Sequence, residues 1–211
     1  KWLKRYTDID IPVEEFIDRM TMSGSKVEGY ESLGKDISKV VVVKIVKTEK
    51  HPDADKLLVC QVDVGNEILQ IVTGARNIFV GALVPVALHG SQLPGNIRIK
   101  RSKLRGVESH GMLCSGAELL LNEDDYPGAG EHGILILKEE YPLGLDIRDV
   151  FGLNDVVVDF EITSNRPDCL SMIGLAREAA ATFEKELHLP EIKVVENNEN
   201  VHQYGQVEVW D

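Results

Sequence analysis

Cysteine is scarce in this sequence. The 211 residues include three, Cys60, Cys114 and Cys169, set far apart and without a CxxC pair. That spacing excludes a disulfide scaffold and a zinc finger, and it points to a reducing, cytoplasmic compartment. Aromatic residues make up only 6% of the chain, so the core must be mostly aliphatic. No apolar run approaches the roughly 18 residues that a membrane-spanning helix needs, and no signal peptide is visible. There is no GxxxxGK[ST] loop and no GxGxxG after a strand, so a nucleotide cradle has no support. Ser91, Ser109 and Ser115 lack a nucleophile elbow. Four of the six histidines, His51, His89, His110 and His132, invite a metal reading, but they do not form a metal set. Cys114 follows His110 by four residues, but no second pair matches it. The acids Glu123-Asp124-Asp125 read as a hydrated loop run rather than an acid–base pair. Nothing in the sequence looks like an active site.

The charge is uneven. The net is −12, which taken alone opposes nucleic-acid binding. Residues 39–151 hold 13 Lys/Arg and 15 Asp/Glu, whereas the remainder holds 10 and 20. The middle of the chain is therefore nearly neutral, and its cations are clustered.

Pro12 opens a helical pattern at a position where its missing N–H costs nothing. Val13, Phe16, Ile17 and Met20 recur at helical spacing, and Gly24 supplies a stop. From Lys39 the pattern turns to strands. Val40–Val46 is a continuous β-branched run that suits a buried strand. Leu58, Cys60, Val62 and Val64 alternate with polar residues up to Gly65-Asn66, and Ile68–Thr73 pairs back across that turn. Further short strands are expected over 84–88, 97–103, 107–114 and 134–137. Strands at this spacing, broken by glycines, indicate a five-stranded OB-type barrel. An acidic loop spans 122–133. Strand 156–162 then leads through Thr163–Asp168, with Asp168 as the expected N-cap and Arg166 pinning the turn, into a helix from Leu170 to about Leu187.

The first 38 residues are too few to fold alone. The expected fold class is α+β: an OB-fold β-barrel (39–151) inserted into a small discontinuous α+β domain (1–38 plus 152–189). Residues 190–211 read as a linker and the opening of a truncated next domain. The start at Lys1 and the strand-like close at Trp210-Asp211 suggest a fragment of something longer.

The strongest physical feature is Ile97–Gly106. Five of the eight positions from Arg98 to Arg105 are basic: Arg98, Lys100, Arg101, Lys103 and Arg105. On a strand, Arg98 and Lys100 share one face while Ile97 and Ile99 fill the other. Residues Arg101 to Arg105 then continue into a loop. Two readings fit this composition. One is the electrostatic footprint of an RNA-binding barrel; the other is a solvated strand edge guarded against aggregation.

Several separated motifs occur in order: His51-Pro52-Asp53-Ala54-Asp55-Lys56-Leu57, Ile71-Val72-Thr73-Gly74-Ala75-Arg76-Asn77, and Leu104 through Ser115 followed by Glu118-Leu119. Together they resemble the EMAP-like tRNA-binding domain, an OB fold. The flanks narrow the resemblance. Thr21-Met22-Ser23-Gly24, the run Ile162–Ser171 and Gly174-Leu175-Ala176-Arg177-Glu178 are similar to the bacterial phenylalanyl-tRNA synthetase beta-subunit family. One departure is Leu120, where that family often has Gly. The resemblance implies a non-catalytic tRNA-binding and architectural piece of a ligase that joins phenylalanine to tRNA(Phe). That whole enzyme uses ATP and Mg2+ and pairs two alpha with two beta subunits. No cofactor, catalytic residue or metal is implied within this stretch, and no DNA or membrane partner. By the same resemblance Arg76, Asn77, Ser109, Met112 and Ser115 lie on or support the RNA face beside the five cations. Two alternatives remain: an assembly module with vestigial RNA binding, or a free-standing tRNA-binding chaperone.

Overall fold

A computed structural model describes every residue except Asp125, Glu196, Asn198 and Asp211. In chain order the elements are helix α1 (Val13–Met22) and strands β1 (Val27–Ser32), β2 (Ser38–His51), β3 (Ala54–Asp63), β4 (Ile68–Thr73) and β5 (Leu83–Leu93). Then come β6 (Ile97–Arg98), β7 (Ser102–Leu104), β8 (Val107–Ser109), β9 (Gly111–Leu113), helix α2 (Ile147–Val150), strand β10 (Val156–Phe160) and helix α3 (Met172–Phe183). They fall into two units, residues 30–158 and residues 1–29 with 159–211. No helix among the described residues is long and apolar enough to cross a membrane.

The larger unit is mostly β. Its sheet runs β4-β3-β2-β5-β6, with β9 on the flank of β5. β2 is the spine, pairing antiparallel with β5 in its first half and β3 in its second. Val40 and Val42 enter one core with Leu83, Ala87, Leu93, Leu135 and Ile147. Val43 and Ile45 enter another with Cys60, Val62, Ile71, Val84 and Val86. A strand buried on both faces needs an unbroken apolar run, and the β-branched stretch supplies it. Each such side chain contributes about 1.5–3 kcal/mol by leaving water.

The sheet curls. The His110 N–H donates to the Gln70 carbonyl at 2.9 Å and the Val72 N–H to Ser109 Oγ at 3.1 Å, bringing the β8–β9 corner against edge strand β4. Gly111 permits the close pairing of β9 with β5, because a Cβ there would lie 2.6 Å from the Ala87 carbonyl oxygen. The outcome is a curled, OB-like sheet. The strand expected over 134–137 is instead irregular. Leu135 and Leu137 donate their N–H groups to Cys114 and Leu83, two different lines of the sheet, and no ladder forms.

The smaller unit packs α1 on α3. Phe16 stacks on Phe183 with centroids 5.5 Å apart and meets Phe160 edge-on at 6.4 Å. The Arg19 guanidinium lies 4.4 Å over the Phe183 ring. Asp168 is not the cap of α3. Ser171 is, its Oγ accepting the Gly174 N–H at 3.1 Å, while Asp168 is drawn off by Arg166 at 3.0 Å. Arg166 also reaches Glu178 at 2.7 Å, so the expected pinning of the turn is present. The helix ends at Phe183, short of Leu187, because Glu184 takes a left-handed φ of 54°.

Candidate nucleic-acid interface

The basic run does not form one strand. β6 pairs with the end of β5, Arg98 opposite Gln92 and Ile97 opposite Leu93. Ile99 prolongs the contact, its N–H donating to the Ser91 carbonyl at 3.1 Å and its carbonyl accepting from Gly90 at 2.8 Å. Ile99 packs on the core, but Ile97 is half exposed, so only one of the two isoleucines is covered as expected. The chain then leaves β5. The Arg101 N–H donates to His89 Nδ1 at 3.1 Å, which turns the backbone outward.

Arg101–Arg105 was expected to be a loop, and most of it is a hairpin. β7 pairs with β8, with Ser102 opposite Ser109, Lys103 opposite Glu108 and Leu104 opposite Val107. The two turn residues are Arg105 (φ 47°) and Gly106 (φ 88°). Positive φ at both central positions is the geometry whose twist matches a two-residue hairpin, and the glycine makes it accessible. His51 anchors the hairpin from below. Its Nδ1 accepts the Asp53 N–H at 3.1 Å, so Nε2 carries the proton and donates to the Leu104 carbonyl at 2.9 Å.

All five cations are exposed. Lys103 pairs with Glu108 at 3.3 Å, and this contact, helped by His110, holds the Glu108 carboxyl below its usual range. Among the described residues, Arg98, Lys100, Arg101 and Arg105 have no carboxylate partner. An exposed cation without a carboxylate partner can take a phosphate oxygen without first breaking an ion pair.

The residues placed here by resemblance behave differently. Arg76 is exposed, in the link after β4. Asn77 clasps the chain: Nδ2 donates to the Ile134 carbonyl at 2.7 Å and Oδ1 accepts the Ile134 N–H at 3.0 Å. Ser109 is buried, accepting from Val72 and donating to the Gly111 carbonyl at 2.9 Å. Met112 is half-buried on β9 against the core. Ser115 donates to Glu118 Oε2 at 2.8 Å and accepts the Glu118 N–H at 3.3 Å, a reciprocal cap on the turn that follows. These groups close and brace the curled sheet.

The acidic loop is organised by one of its members. Glu123 accepts the N–H groups of Gly128 (2.8 Å) and Gly130 (2.9 Å), and these bonds, Gly130 foremost, hold its carboxyl low. Asp125 lies outside the described residues. Burial pushes the Cys60 thiol up to about 11 and Cys114 up to about 12, which keeps both as inert thiols. No group of three metal-ligating side chains occurs among the described residues.

Read from the sequence, His51 and His89 belong to no metal set, and both turn out to hold the basic segment through backbone groups. The proximity of His51 to Pro52-Asp53 was the available signal, since a turn of that kind commits one ring nitrogen locally.

Residues 40–146 match the family described as "Putative tRNA binding domain". The chain belongs to this family. It is 52% identical over its whole length to the phenylalanine–tRNA ligase beta subunit of Clostridium acetobutylicum and 48% identical to that of Clostridium tetani, covering 26% of each. The chain thus spans about a quarter of these relatives. Among solved structures, a MetRS related protein from Pyrococcus horikoshii is 24% identical with a TM-score of 0.35, covering 65% of this chain and 97% of that one. This tRNA-binding-domain chain is accordingly similar end to end to one part of a ligase subunit.

Proposed function

We propose that this chain is the N-terminal, non-catalytic tRNA-binding and architectural part of a phenylalanine–tRNA ligase beta subunit. In this reading an OB-type barrel (39–151) is inserted into a discontinuous α+β domain (1–38 plus 152–189). Residues 190–211 lead toward the next domain. The whole enzyme, a cytoplasmic assembly of two alpha and two beta subunits, joins phenylalanine to tRNA(Phe) with ATP and Mg2+. Its chemistry belongs to parts outside these residues.

One observation carries the RNA role: the exposed cations of β6 to β8, of which only Lys103 has a carboxylate partner among the described residues. They contact the sugar–phosphate backbone and read the shape of folded RNA with little base specificity. Arg76 adds a further exposed cation, while Asn77, Ser109, Met112 and Ser115 support the face from within. Titrating labelled tRNA into the wild type and an Arg98/Lys100/Arg101/Lys103→Gln variant tests this. Weaker binding by the variant is expected, and equal binding rejects the site.

A second reading, an assembly module, is favoured by a groove of about 670 Å³ in the larger unit, lined by Leu33, Leu120, Tyr126, Phe151 and Leu153. Docking to the alpha subunit and the remainder of beta with no affinity for tRNA would support that reading instead.

A further inference from the structure

Lys39 is a cation of the larger unit that neither composition nor motif singles out. It sits at the start of β2, where the pairing with β5 jumps. Ser38 faces Gln92, yet Val40 faces Ala87. Ile37 and Val40 enter the same core, three positions apart rather than two or four. The odd residue in that interval is Lys39, and it holds a left-handed φ of 54°. The surplus residues are on β5, where 88–91 stand against Lys39 alone, and a bulge of this kind re-aims the side chains beside it without breaking the sheet.

Several observations place its charge beside the basic row. The Lys39 Nζ lies 3.5 Å from the position a Cβ on Gly90 would take. Gly90 donates to the Ile99 carbonyl, between Arg98 and Lys100 in sequence. Gln92, opposite Ser38 on one side, is opposite Arg98 on the other. Ile99 faces the core, so its neighbours Arg98 and Lys100 face away from it, on the side of Gly90 and Gln92. Gly90 has no side chain to stand between the ammonium and that row. Lys39 is exposed and has no carboxylate partner among the described residues. A left-handed conformation is costly for a long side chain, and such costs persist where the surroundings impose them and the position is used.

We propose that Lys39 is a further phosphate-binding residue of the RNA face, aimed across β5 onto the Arg98–Lys100 row by its left-handed backbone at the register break between β2 and β5. The proposal rests on the RNA reading above. Its ligand is a backbone phosphate of folded RNA.

The test measures tRNA affinity at 0.1 M salt and the melting temperature of the 211-residue chain for four proteins: wild type, Lys39→Asn, Lys39→Arg and Arg98→Gln/Lys100→Gln. Asn tolerates the left-handed region, so Lys39→Asn removes the charge and keeps the bulge. Loss of one phosphate contact weakens binding about five- to eightfold at this salt. The expected result is that loss for Lys39→Asn with a melting temperature equal to or above wild type, and recovery in Lys39→Arg. If Lys39→Asn binds like wild type while the double variant is weakened, the proposal is overturned and the RNA face stands. If Lys39→Asn loses affinity and melting temperature together and Arg does not restore binding, the residue is structural and the proposal is overturned. If the wild type binds no tRNA, both readings fall.

Discussion

Gly174 sets two known effects against each other. It is the third residue of α3, and in a helix Ala is more favourable than Gly by about 0.8–1 kcal/mol. On propensity alone Gly174→Ala stabilises. The structure reverses the sign. A Cβ at this position would lie 1.8 Å from the Asp168 carbonyl oxygen, 2.5 Å from its carbonyl carbon and 3.1 Å from the Cys169 N. The obstructing atoms are backbone, in the turn where Arg166 holds Asp168 at 3.0 Å and Glu178 at 2.7 Å. That turn cannot give way without pulling on both bonds. Overpacking costs about 1–3 kcal/mol and sometimes more; a 1.8 Å approach to backbone belongs at the upper end, so after the propensity gain of about 1 kcal/mol the net loss is about 2 kcal/mol. The assay is urea unfolding followed by a probe on the smaller unit. Gly29→Ala serves as control, since a Cβ there meets nothing within 4 Å. A Gly174→Ala protein as stable as wild type would refute the steric argument and leave propensity in charge.

Three further outcomes are expected. Leu120, 74% exposed with φ 54°, occupies a position that favours Gly, so Leu120→Gly should raise the urea midpoint by the equivalent of about 0.5–1 kcal/mol. Ser109→Ala strips the buried Val72 N–H of its acceptor and should cost about 1–3 kcal/mol in the same measurement. The Asp146 carboxyl is held below its usual 3.8, first by its hydrogen bond with Arg148. A depressed folded value means that its stabilisation is complete above the unfolded value and fades as pH falls through the folded one. Thermal melts should therefore show a smaller loss below pH 4 in Asp146→Asn than in wild type, and parallel acid curves would contradict the pairing.

Much of this fold is legible from residues alone, and the failures have physical causes. The β-branched run of β2 and the hairpin around Gly65-Asn66 follow from local pattern, because strand burial and turn chemistry there agree. The basic run was read as a strand passing into a loop, and the short strand and hairpin it forms were missed because the break depends on a distant atom. Nothing in Ile97–Lys103 itself says that His89 will accept the Arg101 N–H. Asp168 and Ser171 are both good caps by type, and a competing guanidinium decided between them. The motif residues Asn77, Ser109 and Ser115 were expected to lie on or support an RNA face. Their bonds, however, are internal, since a side chain that closes a sheet and one that binds RNA leave the same mark on a sequence.

On the proposed RNA role, the exposed cations of β6 to β8 hold RNA despite a net charge of −12. The salt dependence of tRNA affinity reads those cations directly, because each neutralised phosphate releases condensed counterions. Log K should fall with log salt at a slope near −3 for the wild type, corresponding to about three phosphates. The slope should be shallower in the Arg98/Lys100/Arg101/Lys103→Gln variant, which keeps only Lys39, Arg76 and Arg105 of the proposed contacts. An equal slope in both proteins would mean that the phosphates are met somewhere else.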